Sequence, residues 1–586
     1  MSTYRAPIED MRFVMEEIAG LNDIAALPGY EDATPDLVAA ILEEAGKLGT
    51  DVLDPLNMSG DAEGCTLENG VVRTPKGFKD AYKKFIDGGW NSMPFDPKIG
   101  GQGLPRLVST GASEIWHAAN MSFGLCPLLT GGAAELLSTH GSEALKAVYL
   151  ENMVAGTWTG SMNLTEPQAG SDLGRIRTKA ERDGDTYRIS GQKIYITYGE
   201  HDFTDNIVHM VLARTPDAPE GVKGISLFVV PKFLVNEDGS LGARNDLRCA
   251  SIEHKLGINA SPTAVMLYGE NDGAVGYLVG EENRGLEYMF TMMNNARLAV
   301  GLEGVAIAER AYQRARAFAE ERPQGRAIDG KSKDAVAIIE HADVKRMLLD
   351  MRTKTEAVRG LAYWVAAQLD VAHRHPDAAV AAKAQGYVDL LTPVVKAWST
   401  DVGVDVANTG VQVHGGMGFI NETGAAQHLR DARIAPIYEG TNGIQAIDLA
   451  GRKVARDGGE IANMLIKDIR ASIANMGSAH ARLTTAVDAL ERATAWMVET
   501  FPKDPGGTQA GAVSYLRLMG IAVGGWLMVL GMEAAQRRAD EFPLLAARRL
   551  VSTRYFARHL LVEAPGLADT ICDGSTFIAE TDIAHL

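Results

Sequence analysis

A block of short apolar runs near the middle of the chain limits its fold more than any other feature. Between residues 157 and 280, β-branched and aromatic residues form the runs TYRISG, KIYITYG, NIVHMVLA, GISLFVVP, TAVMLYG and AVGYLVG, separated by Gly, Pro, Asn and Asp. Runs of this length and composition are typical of β-strands. We therefore predict a β-domain that is continuous in the sequence.

The sequence that follows this block has the periodicity of amphipathic helices. Apolar side chains recur three or four positions apart at Val358, Leu361, Ala362, Val365, Ala366 and Leu369, and again at Val395, Trp398, Val402 and Val406. Helical signals also dominate the N-terminal end. Helices, then strands, then helices indicate an α+β fold with segregated layers, unlike the alternation of a doubly wound dinucleotide-binding sheet.

Acidic residues are concentrated at the N-terminus. The 586 residues include 57 Lys and Arg against 75 Asp and Glu, which gives a net charge of −18. Residues 1–70 hold 15 acidic and three basic side chains, so they carry −12 of this charge. The overall sign opposes binding to nucleic acid or anionic membranes, whereas the nearly neutral remainder does not oppose anionic nucleotide cofactors. We assign the acidic extension to solubility or to a subunit contact.

The cysteines of the chain are widely spaced and form no CxxC pair. They are Cys65, Cys126, Cys249 and Cys572. This spacing suggests neither a disulfide framework nor a cysteine-based zinc site, so we expect no metal and a reducing compartment, the cytoplasm. The first twenty residues lack the apolar core of a secretory signal.

The most apolar long run, residues 518–532, has 15 residues with four glycines between Arg517 and Glu533. A bilayer span needs about 18 to 20 apolar residues. We therefore predict a buried helix rather than a membrane span, and the glycines suit close helix packing.

Two segments in the β-region carry groups that suit a flat polar ligand. The segment MNLTEPQAGSDLG, residues 162–174, combines the hydroxyls of Thr165 and Ser171 with Gly170 in a turn, where backbone N–H groups can face a ligand. Tyr195 and Thr197 are two apart in a predicted strand and so share one face. Taken alone, a tight loop and a half-buried strand also explain these segments.

Two further segments lie in the C-terminal half. VQVHGGMGF, residues 411–419, has three glycines within four residues, which permits close backbone approach to a ligand. In RDARIAPIYEGTNGIQ, Glu439 follows an apolar run and precedes Gly440. Desolvation beside an apolar cleft would raise its pKa and make it a usable base. An exposed glutamate at a helix end is the alternative if the segment is considered alone.

The combination of these segments resembles the acyl-CoA dehydrogenase family. TEPQAGSD, IYIT, QVHGGMGF and YEGTNGIQ occur here in the order and spacing of the family's TEP-GAGSD, WIT, Q-GG-GF and YEGT-IQ, and the resemblance covers roughly residues 75–455. The acidic extension and the extra C-terminal residues are similar to a subgroup of larger chains. That subgroup includes enzymes that oxidise 3-methylthiopropionyl-CoA to methylthioacryloyl-CoA in the breakdown of dimethylsulfoniopropionate.

The resemblance implies an N-terminal helical domain, a central antiparallel β-domain, a C-terminal helical bundle and an extra helical region. The predicted segments are the acidic extension at 1–74, the helical domain at 75–156, the β-domain at 157–283, the bundle at 284–455 and the additional helical region at 456–586.

The resemblance also implies FAD, held between the β-domain and helices and enclosed by a neighbouring subunit of a homo-oligomer, either a dimer or a dimer of dimers. The residues implied for the flavin ring are Met162, Leu164, Thr165, Gly170, Ser171, Tyr195, Ile196, Thr197, Thr441 and Gly443. Those implied for the adenosine diphosphate part of a flavin bound mainly by the partner subunit are Arg322, Gln412, Gly415 and Gly416. Those implied for the CoA-thioester channel are Ser171, Asn294 and Arg297.

Several positions depart from the family pattern. Tyr195 stands where Trp is common, Gln168 where Gly is common, Asn294 where Asp is common, and Gly443 where Gln often occurs. The usual RxxFG segment reads RPQGR from Arg322, followed by the polar insertion AIDGKSKD. These differences bear most on the contacts assigned to Arg322.

The reaction that the resemblance implies is α,β-dehydrogenation of an acyl-CoA to the trans-2-enoyl-CoA. Glu439 removes the α-proton, the β-hydrogen leaves as hydride to FAD, and electron-transfer flavoprotein is the expected electron acceptor. The backbone N–H of the base residue helps to stabilise negative charge on the thioester oxygen.

Three alternatives remain open at the level of sequence. One is a dehydrogenase of other short, long or branched acyl-CoAs, and another is an acyl-CoA oxidase that passes electrons to oxygen. The third is a nucleic-acid-binding family relative, which would use a cluster of six arginines near the C-terminus. They are Arg537, Arg538, Arg548, Arg549, Arg554 and Arg558.

Overall fold

The structure, a computed structural model, contains two compact units. It describes residues 3–328, 330, 333–474 and 480–586. Unit 1 comprises Met1–Gly46, Pro105–Ala118 and Arg297–Leu586, and unit 2 comprises Lys47–Leu104 and Ala119–Ala296. The five segments that the sequence suggests divide the chain differently and remain a prediction.

Unit 2 contains the β-structure. The strands are β1 Thr66–Glu68, β2 Val71–Arg73, β3 Thr159–Asn163, β4 Lys179–Asp183, β5 Thr186–Thr197, β6 Ile207–Ala213, β7 Ser226–Pro231, β8 Phe233–Val235, β9 Leu241–Arg244, β10 Leu247–Ile252, β11 Thr263–Tyr268 and β12 Ala274–Leu278. The main sheet has the order β10-β11-β5-β12-β7-β6-β3, with β4 paired to β5. Its neighbours are antiparallel except for β3 and β6, which are parallel.

The predicted apolar runs all lie in strands of this sheet, with one difference. TYRISG and KIYIT form the single strand β5 rather than two strands. Gly191, at φ 151°, lets this strand continue where another residue would be strained. A register shift opposite β11 then places a bulge before Ile196.

β3 is not among the strands predicted from the sequence, because its residues TGSMN lack an apolar pattern. Its polar side chains are buried but hydrogen-bonded. The Ser161 hydroxyl lies 2.7 Å from Nδ1 of His209, and the Tyr268 hydroxyl donates to Oδ1 of Asn163 at 2.8 Å. Polar groups can lie in a core when they are hydrogen-bonded. Because this buried strand is polar, its hydropathy does not identify it as a strand.

The other regular structure of the described residues is helical, and most of it is in α-helices. They are α1 Ile8–Phe13, α2 Leu21–Ala25, α3 Pro35–Leu48, α4 Asp54–Glu63, α5 Phe78–Asp87, α6 Arg106–Ala119, α7 Met121–His140, α8 Glu143–Leu145, α9 Glu151–Ala155, α10 Gly285–Glu321, α11 Ala342–Arg374, α12 Ala378–His414, α13 Ala425–Ala432, α14 Asn442–Ile447, α15 Glu460–Ala474, α16 Ala481–Thr500, α17 Pro505–Arg537, α18 Pro543–His559 and α19 Ala564–Glu580. The α+β class and the helix–sheet–helix order predicted from the sequence are confirmed.

The long helices α11 and α12 contain the two predicted apolar stripes. All the residues of both stripes are buried except Leu369, which is half-buried. Burial of such a stripe, rather than helix propensity, supplies most of the stability of a helix in a folded protein.

The apolar run at residues 518–532 lies within α17 and is mostly buried, as predicted. This helix is long and apolar enough to cross a membrane by length and composition alone, and 89% of its most apolar window is buried inside the protein. A Cβ atom at Gly520 or Gly524 would lie 2.6 Å from the ring of Trp398. The glycines therefore let α17 approach α12 closely.

The acidic N-terminal segment pairs with arginines of the C-terminal region inside unit 1. Arg549, with 2% of its side chain exposed, lies 3.2 Å from Asp10 and 3.2 Å from Glu356. Arg538 lies 3.0 Å from Glu17. Two of the six arginines considered for nucleic-acid binding therefore serve internal ion pairs, and part of the acidic extension is an intramolecular partner.

We expect Arg549→Met to destabilise the protein by about 3 kcal/mol, because removing one partner of a buried ion pair leaves the other uncompensated. Glu356 keeps a second partner, Arg352 at 2.6 Å, and this ion pair limits the loss of stability to about this value. The midpoint of urea unfolding measures the effect. Arg554→Met, at an exposed position of α18, is the control, and equal midpoints for both variants would contradict the role of Arg549.

Candidate active site

Glu439 lies in the short connection between α13 and α14, in unit 1. Its φ is 55°, and Gly440 follows with φ 83°. A non-glycine residue in the left-handed region costs of order 1–3 kcal/mol and is typical of functional sites. The buried side-chain amide of Gln445 donates to the backbone oxygen of Glu439 at 3.3 Å. The backbone that carries this carboxylate is therefore held in one unusual conformation.

The Glu439 carboxyl has the protonation behaviour of a base that works near neutral pH. The side chain is half-buried, and desolvation raises its pKa to about 7, with Arg297 and Lys396 opposing the increase. A catalytic base is most efficient when its pKa lies near the working pH.

Lys396 and Asn442 tie the Glu439 connection to α12. The Lys396 ammonium is fully buried and donates to Oδ1 of Asn442 at 2.8 Å. The Asn442 amide donates to the backbone oxygen of Ala397 at 3.0 Å and to Oδ1 of Asp401 at 2.8 Å. Burial lowers the pKa of Lys396 to about 8. The site therefore holds a buried cation beside the base.

Thr441 and Gly443 begin α14. The Thr441 hydroxyl accepts the N–H of Ile444 at 3.3 Å and caps the helix. Both residues are half-buried. On α10, Arg297 is buried, and burial lowers its pKa while the charges of Asp448 and Glu439 oppose the decrease. Asn294, one turn earlier and in unit 2, is exposed.

In unit 2, a buried ion pair fixes the segment of residues 162–171. The Glu166 carboxylate accepts from Nζ of Lys193 at 2.8 Å and from the Thr178 hydroxyl at 2.6 Å. The Lys193 ammonium also donates to the backbone oxygen of Leu164 at 2.9 Å. The backbone N–H of Ile194 donates to the backbone oxygen of Thr165, also at 2.9 Å. The structure thus brings the predicted loop and the predicted strand side by side.

The exposure of these residues suits a flat polar ligand. The Tyr195 side chain is 61% exposed and its backbone φ is 59°, while Thr165 and Thr197 are half-buried. Gly170 and Ser171 are exposed, and a Cβ atom at Gly170 would meet no other atom.

Three other predicted residues of this group are less accessible. Met162 is half-buried, and Leu164 and Ile196 pack in the hydrophobic cores of unit 2. Because their side chains are in the core, Leu164 and Ile196 can reach a ligand only through their backbone.

The ends of α10 and α12 carry the other predicted cofactor residues. Arg322 and Gln412 are exposed, and a Cβ atom at Gly415 or Gly416 would meet no atom within 4 Å. The rings of Phe318, one turn before Arg322, and His414 stack with centroids 4.4 Å apart. The structure therefore brings these two helix ends together. The polar insertion after Arg322 lies partly outside the described residues.

Several residues that position the site were not predicted from the sequence. Glu166 and Lys193 are a buried pair, and Glu303 and Lys396 are both 0% exposed. Glu303 and Lys396 lie on helices. Glu303 is the one charged residue in the apolar stretch VGLEGVAIA, and Lys396 is the one charged residue in VVKAW. A buried ionisable group of this kind is a functional-site signal. In the part of the chain that the structure describes, no group of three or more His, Cys, Asp or Glu could hold a metal.

Sequence models of one family match most of the chain. They describe the Acyl-CoA dehydrogenase N-terminal domain at residues 68–157, its middle domain at 161–269, its C-terminal domain at 283–454, and an Acetyl-CoA dehydrogenase C-terminal-like domain at 465–582. A protein of Ruegeria pomeroyi named 3-methylmercaptopropionyl-CoA dehydrogenase is 50% identical over 582 residues, which are 97% of this chain and 98% of that protein.

Solved structures share the fold over nearly the whole length. The Caenorhabditis elegans protein ACDH-11, in complex with C11-CoA, has a TM-score of 0.77 at 21% identity and covers 98% of this chain and 96% of its own. A Bacillus anthracis acyl-CoA dehydrogenase complexed with FAD has a TM-score of 0.73 at 20% identity, with 98% and 92% covered. From the sequence matches, this chain belongs to the acyl-CoA dehydrogenase family and is an FAD-dependent acyl-CoA dehydrogenase.

Proposed function

We propose that this enzyme oxidises 3-methylmercaptopropionyl-CoA to the corresponding α,β-unsaturated thioester. The observation that carries the proposal is the 50% identity, over 97% of the chain, to the relative that bears this substrate in its name. We place the reaction in the breakdown of dimethylsulfoniopropionate, on the subgroup resemblance described above.

Glu439 removes the proton from the carbon next to the thioester carbonyl. Its pKa of about 7 leaves a substantial ionised fraction at neutral pH. The cations of Arg297 and Lys396 favour that ionised form. The strained backbone at Glu439 and Gly440 holds the carboxylate in place, so little reorganisation is required at the moment of proton transfer.

The thioester oxygen needs a donor as the α-proton leaves. Within the described residues, the backbone N–H of Glu439 donates to no other group of the chain. It is therefore free to donate to the substrate oxygen. One preorganised donor of this type is worth about 2.7–4 kcal/mol of barrier.

The residues present fit the FAD that the family uses. In unit 2, the exposed Tyr195 ring, the hydroxyls of Thr165 and Thr197 and the open Gly170 would hold the flavin ring. In unit 1, the open glycines at the end of α12 would leave room for the diphosphate part of a second FAD, one bound mainly by a neighbouring subunit. When bound, FAD supplies the acceptor for the β-hydrogen and its electron pair.

We expect Lys193→Met to weaken FAD binding at least about tenfold, because the Glu166 carboxylate that shapes the loop loses its buried partner. The dissociation constant of FAD from the protein, measured by flavin fluorescence, tests this. Lys179→Met, at an exposed position on β4, is the matched control. Unchanged FAD affinity in Lys193→Met would show that the ion pair does not shape the flavin loop.

A panel of acyl-CoA thioesters, assayed with an artificial electron acceptor, tests the substrate proposal. We expect the highest kcat/KM for 3-methylmercaptopropionyl-CoA or its straight-chain analogue of equal length. A preference for long or branched chains by about two orders of magnitude would contradict it. Peroxide release in air, compared with anaerobic turnover, separates this dehydrogenase from an oxidase.

The electron acceptor, assembly and location are also proposals. We propose electron-transfer flavoprotein as the acceptor, as the family resemblance implies. We propose a homo-oligomer, supported by the exposed apolar side chains of Met417, Phe419 and Ile420 next to the open glycines that follow α12. The free thiols of all four cysteines support a reducing location, the cytoplasm.

A further inference from the structure

A second buried carboxyl, Glu303 of α10, lies beside the catalytic base. Glu303 is 0% exposed, and its Oε2 accepts the hydroxyl hydrogen of Tyr438, the residue before Glu439. Its other oxygen, Oε1, has no hydrogen-bond partner in the described chain. A buried charged carboxylate with one donor is poorly compensated, so the neutral acid is favoured here.

The packing of α10 against α12 keeps Glu303 in place. A Cβ atom at Gly304 would lie 2.3 Å from the backbone oxygen of Ser399, and one at Gly403 would lie 2.9 Å from that of Gly304. The two helix backbones are therefore in contact directly next to Glu303. This close contact restricts movement of the Glu303 side chain out of the core.

The ionisable groups around Glu303 and Glu439, together with those that act on the neighbouring Lys396, come from three elements. Arg297 and Glu303 are on α10, Lys396 and Asp401 on α12, and Tyr438 and Glu439 on the connection before α14. Burial raises the pKa of Glu303 to about 8, with the Glu439 charge adding to the increase and Tyr438 and Lys396 opposing it. The pKa of Glu439 is raised only to about 7.

The two carboxyls have different charged neighbours. The cations of Arg297 and Lys396 both favour ionised Glu439, whereas the Glu439 charge disfavours ionised Glu303. These surroundings favour the neutral form more strongly at Glu303 than at Glu439. Two interacting carboxyls titrate as a pair in two steps, and pairs whose environments separate their pKa values often divide acid and base roles.

We propose that Glu303 is a positioning residue for the base: as a neutral acid held against the Tyr438 hydroxyl, it anchors the backbone that carries Glu439 without placing a second negative charge beside it. The inference rests on the proposed function in that Glu439 is the base. It does not depend on which acyl-CoA is the substrate.

The kinetic test uses the FAD-loaded enzyme and four variants. Glu303→Gln keeps an acceptor for Tyr438 but cannot ionise, and Glu303→Leu and Tyr438→Phe each remove the hydrogen bond. Glu320→Gln, the same change at an exposed position of α10, is the control. The readouts are kcat and KM at pH 7 and the profile of kcat/KM from pH 5.5 to 9.5, with the best acyl-CoA of the panel.

We expect Glu303→Gln to keep kcat at pH 7 within about threefold while losing an ionisation near pH 8 that the unaltered enzyme shows. In Glu303→Leu and Tyr438→Phe, kcat should fall about tenfold or more while KM changes less than threefold. The reason is that these variants move the Glu439 carboxylate but leave substrate binding intact. A wild-type kcat and profile in both of these variants would overturn the proposal.

An infrared titration tests the same inference without turnover, so its outcome is independent of the proposed function. The spectrum of the unaltered enzyme minus that of Glu303→Gln should contain the stretch of a protonated carboxyl at pH 7.5, and this band should vanish by pH 9.5. Absence of the band at pH 7.5 would mean that Glu303 is already ionised and would overturn the proposal. This measurement also decides the matter if Glu303→Leu does not fold.

Discussion

Glu439→Gln should reduce kcat by at least about a hundredfold while the protein keeps its yellow flavin. The amide is nearly the size of the carboxyl, so the strained connection and the Gln445 hydrogen bond to the Glu439 backbone can remain. What is lost is the group that accepts the α-proton, and a positioned base contributes roughly 10²–10⁴-fold to a rate. Stopped-flow measurement of flavin reduction by the acyl-CoA reports this step directly.

The control for this variant is Glu422→Gln, the same change at an exposed residue shortly before α13. It should reduce the flavin at the rate of the unaltered enzyme. If Glu439→Gln retained more than about a tenth of that rate, Glu439 could not be the base, and the chemistry would need another proton acceptor.

Lys396→Met should shift the pH dependence of catalysis. The buried ammonium lowers the pKa of Glu439, which burial has raised to about 7. Without this cation the pKa of Glu439 rises further, by about one unit or more for a nearby opposite charge. The base is active only when ionised, so activity is lost as pH falls through this pKa. We therefore expect kcat/KM at pH 6.5 to drop about eightfold or more and to recover as the pH rises.

Lys383→Met is the control for the loss of a lysine from α12, because Lys383 is exposed and pairs with Asp468 at 2.7 Å. Its pH profile should match that of the unaltered enzyme. An equal loss of activity at every pH in Lys396→Met would indicate structural damage and would contradict an electrostatic role for Lys396.

Much of the fold could be predicted from the sequence because burial leaves a periodic pattern. The apolar stripes on α11 and α12 and the continuous runs of β6 and β7 are examples, and all of these strand residues are buried. β3 could not be predicted, because Ser161 and Asn163 are buried through hydrogen bonds that depend on other strands. The continuity of β5 depended on the backbone conformation of Gly191, which hydropathy does not report.

The candidate site was predictable where chemistry is local in sequence. Glu439 lies next to an apolar run and a glycine, and the structure adds its strained backbone and its raised pKa. Glu303 and Lys396 were not predictable, because each acts on Glu439 from a different helix. Their proximity depends on the glycine contacts between α10 and α12, which bring distant parts of the chain together.

The structure shows a role for the acidic N-terminal residues that the sequence did not indicate. Sequence alone suggested solubility or a subunit contact for the extension. In the structure, Asp10 and Glu17 pair with Arg549 and Arg538, which are more than 500 positions away. Such pairing is invisible to any local pattern, and it uses arginines that otherwise suggest a nucleic-acid surface.

Anaerobic mixing of the FAD-loaded enzyme with 3-methylmercaptopropionyl-CoA tests the central claim most directly. We expect rapid loss of the oxidised flavin absorbance and a thioester product lighter by two hydrogens. We also expect a substrate deuterated at the α-carbon to react more slowly, since Glu439 removes that proton. A flavin that stays oxidised with this thioester, while a long-chain acyl-CoA reduces it, would contradict the account.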